Sequence, residues 1–131
     1  MIHVATLAEL HDGVARAEAT GADSIELRRQ TLDFALARLR RTPAPSEVDA
    51  ECIGRISATT NRQLSRNDKW IIAASIIGGH GLLTEDTGIH TQVMGNTGLA
   101  QAAIQRGWSA GQIVLVRSGP ETERSSVADA D

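Results

Sequence analysis

Three carboxylates, Glu9, Asp68 and Asp86, stand where an α/β chain gathers ligands. In open α/β sheets, ligands collect at the carboxyl ends of strands and at the starts of the helices that follow. Glu9 falls in the first turn after the alternating segment Ile2 to Val4, Asp68 at the head of an apolar helical run, and Asp86 just beyond Leu82-Leu83-Thr84. Parallel strands would bring all three to one edge. Crowded carboxylates raise one another's pKa, so a set left ionised at neutral pH calls for a balancing cation, and oxygen-only ligation suits Mg²⁺ or Mn²⁺ rather than zinc. Each acid also has a purely structural use. Glu9 can partner Thr6 in a capping box, Asp68 can cap its own helix, and Asp86 can serve a turn before Gly88. Spacing leaves both uses open.

Other chemistries find less support. His3, His11, His80 and His90 make no H-E-x-x-H spacing, and Cys52, the single cysteine, offers no zinc pair. Cys52 lies on the apolar stripe Val48, Cys52, Ile53, Ile56, where a thiol is core material, and no G-x-S-x-G elbow is present. The Gly-Gly-His-Gly run at 78–81 follows a helix instead of preceding one, so helix termination explains it better than a phosphate cradle.

These residues need a frame. A strand at Ile2 to Val4 leads into a helix ending near Ala19, with Gly21 as its stop. A second, amphipathic helix spans Asp23 to about Arg41, with Ile25, Leu32, Leu36 and Leu39 on its apolar face, and Thr42-Pro43-Ala44-Pro45 ends it. Ser46, with Asp49 three residues on, opens a third helix to about Thr60, followed by a polar loop from Asn61 to Asn67. The helix from about Asp68 to Ile77 is apolar almost all round, which marks it as buried against a sheet. A strand at Leu82 to Thr84, a loop at Gly95 to Gly98, a helix at Leu99 to Gln105 and a strand at Ile113 to Val116 complete an α/β layered domain over 1–116. Residues 117–131 have the composition of a disordered acidic tail. Only three strands are legible, and so many amphipathic helices need a broader, mainly parallel sheet than that.

At 131 residues and 13.9 kDa, with 41% hydrophobic and 22% charged residues, the chain reads as one globular, cytoplasmic domain. No apolar run approaches the roughly 20 residues of a membrane span, and no secretory signal is visible. The net charge of −3 is unevenly spread. Arg28 to Lys69 carries nine basic residues against five acidic ones, a local +4, and the remainder is −7. Such a segment is either a solvated helix exterior or a phosphate-facing surface. With two Trp, one Phe and no Tyr, base stacking cannot be its main mode of contact with nucleic acid.

Two blocks of sequence resemble the PIN-domain family, in particular toxin ribonucleases of the VapC type. HVATLAELHDGVARA (residues 3–17) is similar to the family's strand-helix segment with its Glu, here Glu9. NDKWIIAASIIGGHGLLTED (residues 67–86) is similar to its "ND-x-W-I-A-A" helix, glycine turn and "T-x-D" strand end, and is the more specific block. The likeness covers most of residues 2–90. It implies a PIN-like three-layer fold and places Glu9, Asp68 and Asp86 at acidic metal positions, with Asn67 and Thr84 in support. It further implies divalent-metal-dependent hydrolysis of RNA, with Mg²⁺ or Mn²⁺ bound by the carboxylates, a cognate antitoxin as partner, and a homodimer. The family's opening strand, which ends in an Asp, has no counterpart here. The chain therefore reads as an N-terminally truncated member. It is expected to be either an active endoribonuclease or an inactive remnant that keeps antitoxin binding or dimerisation.

Overall fold

The computed structural model describes residues 1–60 and 64–116. The element order is α1 (Val4–Thr20), α2 (Ile25–Arg38), α3 (Glu47–Thr59), α4 (Arg66–Gly78), β1 (Leu82–Thr84), α5 (Thr87–Val93), α6 (Thr97–Gln105) and β2 (Ile113–Leu115). The architecture is mixed α/β but mostly helical, with six helices and one two-stranded parallel sheet among the described residues.

Helix α4 is apolar on nearly every face, so it must be covered on nearly every face. Its N-terminus is fixed by a capping box: Ser65 Oγ accepts from the Asp68 N–H (3.1 Å), and the Asp68 carboxylate accepts from the Ser65 N–H (3.3 Å). Its C-terminus turns through Gly79, whose φ of 70° lies where side chains are strained, and Ser75 Oγ clamps the turn by donating to the His80 carbonyl. The chain then enters β1, which pairs with β2 in register Leu82 to Ile113, Leu83 to Val114 and Thr84 to Leu115. The crossover between these parallel strands is made by α5 and α6.

The main core joins Cys52, Ile53 and Ile56 of α3 to Ile72, Ala73 and Ile76 of α4, with Ile89, Val93, Leu99, Ala103 and Ile113 closing over them. Asn96 ties three elements together. It caps α6 through Leu99 N–H and donates to the carbonyls of Thr59 (3.1 Å) and Gln92 (3.0 Å). An ion pair between Arg106 and Glu51 links the end of α6 to α3. A smaller cluster of Ile2, Leu7 and Ala35, with Leu10 and Leu39 against it, holds α1 to α2.

Several elements fall where the spacing puts them. The Ser46–Asp49 capping box forms, Gly21 closes α1 with φ 63°, and β1 spans Leu82–Thr84. Others differ. The strand at Ile2 to Val4 shrinks to a single parallel bridge between Ile2 and Arg41, because His3 caps α1 by accepting from the Ala5 N–H (3.0 Å). The helix therefore starts at Val4, and the Thr6–Glu9 capping box does not form. The stretch after Asp86 is helix α5, which the sequence reading omits. Helix α2 buries only Leu32 and Ala35, and Leu36 of its expected stripe is exposed. Residues 61–63 of the expected loop, and the expected tail at 117–131, lie outside the described residues.

Ile76 is fully packed while Leu83 is 71% exposed. Ile76→Ala should cost about 2–5 kcal/mol by urea denaturation, and Leu83→Ala should stay within about 0.5 kcal/mol.

Candidate functional site

Asp86 is the N-cap of α5: one of its oxygens, Oδ1, accepts from the N–H groups of Gly88 (2.7 Å) and Ile89 (3.2 Å). Thr84 supports it from the strand end, where its hydroxyl accepts from the Asp86 N–H (3.0 Å). Asp68 is the capping-box carboxylate of α4, and Asn67 is an exposed residue of that helix's first turn, inside the helix rather than ahead of it. Two of the three expected acids thus stand at helix N-termini, where amide dipoles favour negative charge.

Glu9 is exposed on α1, beside Ser24, Leu27, Arg28 and Thr31 of the α1–α2 hairpin. Among the described residues, no group of three or more His, Cys, Asp or Glu side chains could hold a metal ion. As they stand, Glu9, Asp68 and Asp86 do not fit a Mg²⁺ or Mn²⁺ site. Helix α1 starts from the Ile2–Arg41 pairing and Asp86 follows β1, and between these two pieces of sheet lies a cavity of about 240 Å³. Met1, Ile2, His3 and Thr42 form one bank, Leu82 and Leu83 the other, and Ile71 and Ala74 of α4 are among the remaining lining residues.

Two residues of this slot escape sequence reasoning. His3 is only 5% exposed and its Nε2 has no hydrogen-bond partner, and Thr42 Oγ1 is likewise buried and unpartnered. No motif marks them, since an isolated His in a short apolar alternation gives no sign that its second nitrogen will be left unpaired. Burial pushes the His3 pKa down, partly offset by the negative charge of Asp49. Cys52 is fully buried, and burial, with Asp49 and Glu51 nearby, pushes its thiol up to about 12, which suits a core residue and not a nucleophile.

The basic segment is displayed on the surface. Arg28, Arg29, Arg38, Arg40 and Arg41 are all exposed, Arg29 pairs with Glu18 (3.0 Å), and Arg38 lies 5.9 Å over the Phe34 ring. Leu27 (67% exposed) and Phe34 (57%) stand seven residues apart on α2, close to one face. No helix among the described residues is long and apolar enough to cross a membrane. No protein-family model, curated protein or solved structure matches the chain.

The depressed His3 pKa has a stability consequence. Below about pH 6.5 the unfolded chain takes up a proton at this site that the folded chain resists, so the His3 contribution to stability is lost as pH falls from there through the folded-state value. His3→Asn keeps a capping acceptor and removes the titration. Urea midpoints at pH 7.5 and 5.5 should differ less for His3→Asn than for the parent chain.

Proposed function

We propose that this chain is a PIN-like, divalent-metal-dependent endoribonuclease of the toxin type, acting on RNA in the cytoplasm, with a cognate antitoxin and a second copy of itself as protein partners. The observation that carries the reading is the placement of Asp68 and Asp86 at the starts of α4 and α5, on the elements of the sequence block most similar to that family. Thr84 beside Asp86 matches the block's "T-x-D" ending, and the exposed arginines of α2 offer contacts to backbone phosphates. The three-layer PIN arrangement belongs to the same proposal. Glu9, Asp68 and Asp86 do not form one metal-holding group among the described residues, so the reading requires a rearrangement that overcomes this separation and gathers the three carboxylates.

A second reading is favoured by that same separation and by the exposed Leu27–Phe34 face of α2. In it the protein is catalytically inactive and acts through α2, binding an antitoxin or a second copy.

The test is incubation of the purified chain with structured RNA and Mg²⁺ or Mn²⁺, with EDTA and the variants Glu9→Gln, Asp68→Asn and Asp86→Asn as controls. Asn caps a helix about as well as Asp, so the two asparagine variants should remain folded by circular dichroism. Cleavage is expected with metal and lost, by about a hundredfold or more, with EDTA and in each variant. A folded parent chain that leaves RNA intact at every metal concentration sinks the nuclease reading. Self-association weakened by Phe34→Glu would then support the second reading.

A further inference from the structure

We propose that Met94 is a site of reversible, stereospecific oxidation by hydrogen peroxide, and that adding oxygen to its sulfur releases the outer edge of β2.

The sulfur has a defined place in the fold. Strand β2 and its flanks turn alternate backbone groups toward β1: the Gln112 carbonyl accepts from the Leu82 N–H (2.9 Å), and the Val116 N–H donates to the Thr84 carbonyl (2.7 Å). By the two-residue alternation of a strand, the N–H of Ile113 points to the opposite edge. There it donates to Met94 Sδ at 3.3 Å. Ile113 is buried, and the thioether is the acceptor that its amide uses.

The contact is held from both sides. Met94 closes α5 with its own N–H donating to the His90 carbonyl (2.9 Å), and the turn beyond it is fixed by the Asn96 N–H donating to the Val93 carbonyl (3.2 Å). Gly111 brings in the segment that leads to β2. A β-carbon there would stand 2.6 Å from Val93 Cγ1, so the missing side chain is what lets the backbone lie this close to α5. Met94 is nevertheless 40% exposed and borders a surface cavity of about 140 Å³, so a molecule as small as hydrogen peroxide reaches its side chain.

A thioether sulfur carries two lone pairs, one on each side of its C–S–C plane, and the Ile113 N–H occupies one of them. Oxidation is attack by the other pair on a peroxide oxygen. An S–O bond forms, the O–O bond breaks, sulfur gives up two electrons, and the second peroxide oxygen leaves as water with both protons. One epimer of the sulfoxide therefore predominates. Its oxygen lies away from the amide, and the pair left on the oxidised sulfur is a poor acceptor, so the Ile113 N–H loses its hydrogen bond. A dithiol restores the thioether, removing the oxygen as water and becoming a disulfide. This inference stands on the edge of β2 and is independent of RNA cleavage.

The test treats the full chain with hydrogen peroxide, digests it, and resolves the Met94 peptide into its two sulfoxide epimers, each identified by the methionine sulfoxide reductase specific for it. One epimer should exceed the other by about fivefold or more, the factor that breaking one ordinary hydrogen bond imposes on attack from the amide side. In urea the two should form equally. Amide hydrogen exchange at Ile113 should quicken by about the same factor in the oxidised chain and return to its first rate after reduction. Met94→Leu, which keeps the volume and offers no acceptor, should show the faster exchange without peroxide and no further change with it. The proposal is overturned by equal epimers from the folded chain, or by a Met94 that resists peroxide under conditions that convert N-acetylmethionine amide. Exchange at Ile113 that is unchanged or slower after oxidation equally overturns it.

Discussion

The fold depends on covering one helix. With Ile71, Ile72, Ala73, Ala74, Ile76 and Ile77 distributed around it, α4 has no face that water would solvate at low cost. Helix α3 takes one side, and the β1–β2 pair reached through Gly79, with α5 and α6 over it, takes another. Helix α1 covers part of a third. Where Ile71 and Ala74 remain partly buried, the slot opens, so the gap in the sheet and the incomplete covering of α4 are one feature seen from two sides.

The same constraint explains how the acids are used. A buried helix cannot leave its first amides unsatisfied, and a carboxylate beside them is an effective acceptor. Asp68 fills that role for α4 and Asp86 fills it for α5, each with an oxygen accepting from backbone amides. Capping orients a carboxylate without consuming all of its lone pairs, so structural duty and ligand duty can share one side chain. Glu9 has no such anchoring, being exposed in the middle of α1.

What was legible in the sequence was local. The Ser46–Asp49 box, the glycine stops at Gly21 and Gly79, the burial of Cys52 and the strand Leu82–Thr84 all follow from residue types within a few positions of one another. The divergences arise where distant groups decide. Ile2 has strand character, yet one bridge to Arg41 is all the partner it finds, and the His3 cap then starts the helix early. Helix α5 was illegible because its first residues, Thr87 and Gly88, are poor helix formers; the two amides held by Asp86 start it instead. The apolar helix surface calls for a sheet broader than three strands, yet the described residues hold a sheet of two, and the slot and its orphaned His3 nitrogen exist only once two remote segments face each other.

The β1–β2 pairing sets an order in which the chain can fold. The α1–α2 and α3–α4 hairpins bring together neighbours in sequence and close short loops, whereas pairing β1 with β2 closes a longer loop that contains α5 and α6 and so carries the larger entropic cost. Sheet formation is therefore the late step. Until it occurs, the edge of Leu82–Thr84 and the apolar residues Ile113 to Leu115 are exposed together, which makes the interval before closure the time when this chain is most prone to pair with the wrong strand.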